Sequence, residues 1–331
     1  MLKKIVLILL TIIFLGMFVA SASAVTYTIS NSTDVTTINK MISGKIPIKN
    51  NNFIKNGDVI KFKPGNYKNL QLIVKKSITI TKTNKKAKVT FIGNNTGTAI
   101  NLTNKNKKVN INNIIIRNYK YGISGIINSA KITKMTFYKN SFKGISIKGS
   151  KLKITHNKFS ENEISIYVCG KNNIISSNRI NKGGFLSPLI LINGNNNLIS
   201  HNKIKAPESY AISLYGNNNK ISKNTAYKCM NGIDAGGDRN SISYNKIYYI
   251  NAYDGIYITE GKYSTVKYNT IKNSARGLNI WGEKNTASYN KLYRNEIGIK
   301  YFEGNKLFKN KFKDNKKNTK IEDKGKYELY Y

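Results

Sequence analysis

The chain has 331 residues, with 55 Lys plus Arg against 16 Asp plus Glu and a formal charge of +39. Two Cys and two His exclude a disulfide-rich scaffold, a Cys-type zinc module and a multi-His metal site. Asn, at 49 residues, disfavours long helices and favours turns, while 40% hydrophobic content excludes simple disorder.

Residues 1–24 read as a secretory signal peptide. Lys3 and Lys4 give a basic start, residues 5–20 are apolar, and Ala22-Ser-Ala24 is a small-residue cleavage site. No membrane span is expected after cleavage. Residues 25–108 are expected to hold an N-terminal cap and the first coils. Within them, Asp34 suits a helix N-cap, and Val35, Ile38 and Ile42 share one helical face. Residues 109–325 are expected to form the main repeat, and 326–331 a tail.

The repeat is carried by two phrases. One is I-S-x-N-x-I, as in Ile175-Ser-Ser-Asn178-Arg-Ile180 and Ile242-Ser-Tyr-Asn245-Lys-Ile247. Its Asn falls at 157, 178, 202, 224, 245, 269, 290 and 310. The other is G-I-x-I, as at Gly144 and Gly255, closed by Gly at 149, 170, 194, 216, 237, 261, 282 and 304. Gly to Asn is eight residues in seven of eight copies, whereas Asn to the next Gly varies from 13 to 16. One arc is therefore rigid and the other takes the insertions.

Apolar residues two apart are the signature of a strand with one buried face. A 22-residue unit cannot bury that face alone, so copies must stack, giving about ten coils and a rod of roughly 50 Å. The recurrent Asn then forms a ladder at a corner, bonding backbone and the next coil's Asn. A leucine-rich solenoid or a propeller requires other spacings.

These phrases resemble the repeats of right-handed parallel β-helix proteins, the pectate-lyase-like superfold. Asn56 to Tyr67 and the following Lys76-Ser-Ile-Thr-Ile80 are similar to that group's N-terminal coil. Within it, the chain looks most like short archaeal adhesin-like surface proteins. The resemblance implies an all-β parallel solenoid. It fixes no activity, because the fold hosts lyases, hydrolases, epimerases and binders.

Two surfaces are candidates for function. Aligning the G-I-x-I strands stacks Asp234, Tyr257, Asn279 and Lys300, beside a column of Gly236, Thr259, Trp281 and Phe302. Asp254 falls next to Arg276. The loops 182–188 and 248–254 are expected to flank this face. The resemblance implies that a lyase here would use Asp234, Asp238 and Glu260 to hold Ca²⁺ around a uronate, with Asp234, Asp254 and Arg276 as the catalytic group and Arg276 as base. No lyase or hydrolase motif accompanies them, and Asp254–Arg276 also reads as a surface ion pair of little worth.

The residue after each ladder Asn should point outward, giving a column of Lys158, Arg179, Lys203, Thr225, Lys246, Thr270, Lys291 and Lys311. The residue before it gives Tyr244, Tyr268 and Tyr289 on successive coils. Such a stripe suits an anionic polysaccharide or cell-wall polymer, with Tyr faces, and Tyr257 and Trp281 on the other surface, packing on sugar rings. Lys on each coil would equally serve solubility. No nucleic-acid module is visible, and no cofactor is required unless Ca²⁺ serves a lyase. The expected role is thus a secreted or surface-bound glycan binder, with a uronate lyase as the alternative. Cys169 and Cys229 lie three coils apart, beyond disulfide reach, and are expected to be free, buried thiols.

Overall fold

The computed structural model describes residues 24–103, 105 and 107–322. All of the expected export segment except Ala24, and the whole expected tail, lie outside the described residues. Among those described, no helix is long and apolar enough to cross a membrane.

A 13-stranded parallel sheet runs from Thr26–Ile29 to Lys306–Phe308, taking one short strand from each coil and continuing across residue 108. This corresponds to about twelve turns, more than the ten expected, and to a rod of roughly 58 Å. The early coils, up to residue 112, space their strands unevenly and lack the paired Asn and Gly phrases, so counting phrases undercounts them. A 20-stranded ladder carries the two other faces. One is formed by the strand after the ladder Asn (the K-I face), the other by the G-I-x-I strand (the G-I face).

In the central coils these two strands fuse into bent strands of 11 to 13 residues, Lys203–Tyr215, Thr225–Gly236, Lys246–Ile258 and Thr270–Ile280. Residues 248–254 are therefore not the expected loop. They are strand, and the extra residues are absorbed as a register shift between Ile250 and Asp254. Residues 184–187 do leave the ladder, and Phe185 stands 68% exposed there.

The core follows from alternation. Ile154, Ile175, Ile199, Ile221 and Ile242 pair in direct register and are fully buried. The expected helix forms at Val35–Ile42. Asp34 caps it by accepting from the Thr37 N–H at 2.9 Å, and Ile38 and Ile42 are buried against the first coils.

The corner ladder runs unbroken from Asn157 to Asn310. At Asn178, Nδ2 donates to Asn202 Oδ1 at 3.0 Å and to the Ile154 carbonyl at 2.9 Å, while its backbone N–H shares the same Oδ1 at 3.0 Å. Every polar atom of the buried amide is thus matched, which is what makes its burial tolerable. A second ladder, not expected from the repeat, follows the Gly column through Asn173, Asn197, Asn219 and Asn240, with Ser264 substituting for one rung before Asn285.

The residue before each ladder Asn takes the left-handed conformation, with φ between 52° and 58° from His156 to Lys309. Non-glycine residues adopt it at a cost of about 1 kcal/mol, and the Asn rung holds the corner there. At the closing Gly, conformation and space act together. Gly194 has φ +143°, and a Cβ there would overlap the Gly170 carbonyl of the preceding coil.

Both cysteines are free. Cys229 is buried, and burial pushes its thiol up to about 11. Cys169 is only half-buried, contrary to expectation, because it ends its strand in the outward column between Lys148 and Asn193.

Candidate functional site

On the G-I face, the register sets Asp234, Tyr257, Asn279 and Lys300 in one column and Asp254 beside Arg276. These residues line a cavity of about 280 Å³ with Tyr210, Asn231, Tyr253 and Trp281. Tyr210 and Tyr253 meet edge to face at 5.9 Å, as do Tyr257 and Trp281 at 6.3 Å. Phe302 is buried with its ring 5.3 Å from that of Trp281, while its neighbour Tyr301 pairs with Ile280 and packs on the core.

The charges in this cleft are largely committed. Arg276 Nε donates to Asp254 Oδ1 at 2.5 Å and Arg276 Nη2 to Oδ2 at 3.3 Å. Asn279 Nδ2 donates to the same Oδ2 at 3.2 Å, and the Asp254 N–H donates to Asn231 Oδ1 at 3.2 Å. The Asp254 side chain is 5% exposed and that of Arg276 31%, so this is a half-buried bidentate pair and not the surface contact expected. Hydrogen bonding to Asp254 raises the Arg276 pKa above its ordinary value. That opposes the base role, which needs a guanidinium able to lose its proton.

Asp234 accepts from Thr259 Oγ1 and, at 3.5 Å, from the Tyr215 hydroxyl. Burial raises its pKa; the Thr259 and Tyr215 bonds oppose that shift and the Asp254 charge adds to it. Burial also pushes Tyr257 up to about 12. Asn279 Oδ1 is buried without a hydrogen-bond partner.

The expected Ca²⁺ set does not assemble. Among the described residues, no three His, Cys, Asp or Glu side chains gather as metal ligands. Asp234 lines the cleft, whereas Asp238 lies beyond the closing Gly and accepts from the Lys262 N–H of the next coil at 2.8 Å. Glu260 is exposed past the end of its strand.

The K-I face differs. Lys158, Arg179, Lys203, Thr225, Lys246, Thr270, Lys291 and Lys311 pair in direct register along the rod. The six cations are exposed, and none is in an ion pair among the described residues. At the adjoining corner Tyr244 stacks on Tyr268 at 5.0 Å, and Tyr268 on Tyr289 at 5.1 Å. This stacking covers the ring faces between them, so the expected packing of each Tyr face on a sugar is not available. Ring edges and hydroxyls remain at the surface.

Sequence reasoning missed a second outward column on the same strands, two residues further on. It runs Lys205, Tyr227, Tyr248, Lys272, Tyr293 and Lys313. Its lower part lines a groove of about 550 Å³ with Tyr249, Asn273, Arg294 and Asp314. The signal was present in phrases such as Lys203-Ile-Lys205, where both lysines must face the same way.

The family description "Right handed beta helix region" matches residues 188–329. No curated protein matches the chain. A Paenibacillus alginate lyase structure is similar with a TM-score of 0.62 at 14% identity, over 87% of this chain and 99% of that one. A mannuronic acid specific polysaccharide family 6 lyase from human gut microbiota gives 0.56 at 15% identity, over 93% and 89%. A lacto-N-biosidase from Eubacterium ramulus gives 0.60 at 10% identity, over 87% and 67%. At these identities the likeness shows the fold, and it agrees with the repeat and the register: the chain is a right-handed parallel β-helix.

Proposed function

We propose that this chain is an exported, surface-acting β-helix that binds an acidic polysaccharide without cleaving it. The observation that carries the reading is the K-I column, six exposed Lys or Arg in register with no acidic partner among the described residues. A regular row of unpaired cations meets a regular row of anions over a long contact. The net charge of +39 favours the same partner. Two of the similar structures are lyases whose names specify alginate or mannuronic acid, so acidic glycans are the first ligands to try. An adhesin-like role at the cell surface is consistent with this chemistry.

The lyase alternative is weakened by the commitment of Arg276 and Asp254 to each other. The test is to incubate the protein with polymannuronate, polygalacturonate and hyaluronan, with and without Ca²⁺. Binding that weakens as salt rises, with no turnover, is expected. Ultraviolet absorbance from an unsaturated product would overturn the non-catalytic reading. Binding to none of the polymers would overturn the ligand class.

A further inference from the structure

The two outward columns of the K-I face, taken together, are more specific than either alone. They stand two residues apart on each strand, roughly 6.6 Å, and successive coils are roughly 4.8 Å apart. On three consecutive coils the cations alternate sides. Lys246 stands in the first column beside Tyr248, Lys272 in the second beside Thr270, and Lys291 in the first beside Tyr293. The next coil fills both positions, with Lys311 and Lys313. Lys272 is fixed in this pattern, its Nζ lying 5.9 Å from the Tyr248 ring centre and 5.3 Å from that of Tyr293. These cation–π contacts pre-position the charge without neutralising it. The acid at the groove edge, Asp314, is paired with Arg294 at 3.8 Å.

We infer that this checkerboard binds a linear acidic glycan carrying one anionic group on every residue, laid along the rod axis with one sugar per coil. The inference rests on the proposed polysaccharide binding and adds the surface, the direction and the charge pattern. In an extended chain with a two-fold twist, successive residues present their charges to opposite sides. The Lys246–Lys272–Lys291 zigzag receives such a series. A chain charged on every second residue presents all its charges to one side and engages one column only. Tyr248 and Tyr293, which are not stacked on one another, offer half-buried ring surface between the cations for the sugar rings.

The experiment measures affinities of the full chain for polymannuronate, charged on every residue, and hyaluronan, charged on every second. The variants are Lys272→Met, Lys246→Met and, as a control on the 13-stranded face, Lys153→Met. Each Met retains the apolar stem of the lysine. The expected result is about a fivefold loss of polymannuronate affinity for Lys272→Met and for Lys246→Met, and little change for Lys153→Met. For hyaluronan, only one of the two K-I face variants should weaken binding. Equal small losses for all three variants would overturn the checkerboard while leaving the polysaccharide reading intact. No binding of wild type to either polymer would instead defeat the reading on which it rests. Tighter binding of single-stranded DNA of equal charge at the same salt would overturn the glycan as ligand in favour of nucleic acid.

Discussion

The G-I and K-I faces are built from the same coils, and in the centre from the same bent strands, yet they treat charge in opposite ways. On the G-I face a bidentate Arg276 and an Asn279 amide close off Asp254, and Lys300 reaches Glu322 at 3.2 Å. On the K-I face a half-buried Lys272 lies between two Tyr rings, and the cations of the column beginning at Lys158 stand exposed with no acidic partner among the described residues. An acid–base cluster in a cleft is thus not by itself a reactive centre. Here most of its charges hold neighbouring coils together, while the row of lysines has its charge available to a ligand.

The sharpest way to break this contrast is Arg276→Met. It leaves Asp254 buried with its main partner gone, which typically costs 3–5 kcal/mol. Thermal unfolding should show a large drop in Tm, while polymannuronate binding to the remaining folded protein is unchanged. A lyase account expects the reverse, lost turnover in a stable protein. Next in size is Asn202→Ala. It strips the acceptor from Asn178 Nδ2 and from the Asn178 N–H, and the donor from the Ile175 carbonyl. Buried unpaired groups of this kind cost about 1–3 kcal/mol, measurable by chemical denaturation. A loss within error would mean that the corner is held by the strands alone.

Asp234→Asn should act in the opposite direction. Its folded pKa is raised, so the ionised form is the less stable one in the fold. Stability from the neutral acid is present at low pH and is lost as pH rises through the folded pKa. The variant should therefore gain Tm at pH 7 and lose that gain in acid, which Tm against pH will show. The smallest effect is expected for Tyr268→Ala. It removes two stacked contacts, each worth about 0.5–1.5 kcal/mol beyond area burial. It should lower stability more than glycan affinity, because the covered ring faces are not a sugar platform.

The arc with fixed spacing was the more readable one in the sequence. Eight residues from Gly to Asn lock the phase, so the ladder, the buried Ile file and the Lys158-to-Lys311 column can all be placed by counting. The other arc could not be read in this way. Register shifts between Ala206 and Tyr210 and between Ile250 and Asp254 carry Tyr210 and Tyr253 into the cleft, and no fixed period encodes a bulge. The second Asn ladder lies in the fixed arc too, three residues after each closing Gly from Gly170 to Gly282, but in runs such as Asn195-Asn-Asn197 composition does not say which Asn turns inward, and Ser264 takes one rung. Stacking of Tyr244, Tyr268 and Tyr289 followed from the register, but the loss of their faces to each other depends on side-chain rotamers that spacing does not fix.

The most direct test replaces three cations at once. Lys203→Met, Lys246→Met and Lys291→Met together should lower polymannuronate affinity roughly tenfold to a hundredfold in calorimetric titration at moderate salt. Tm should stay close to wild type, because none of the three is in an ion pair among the described residues. Unchanged affinity in the folded triple variant would contradict the account, because the lysines would then serve only to keep the rod in solution.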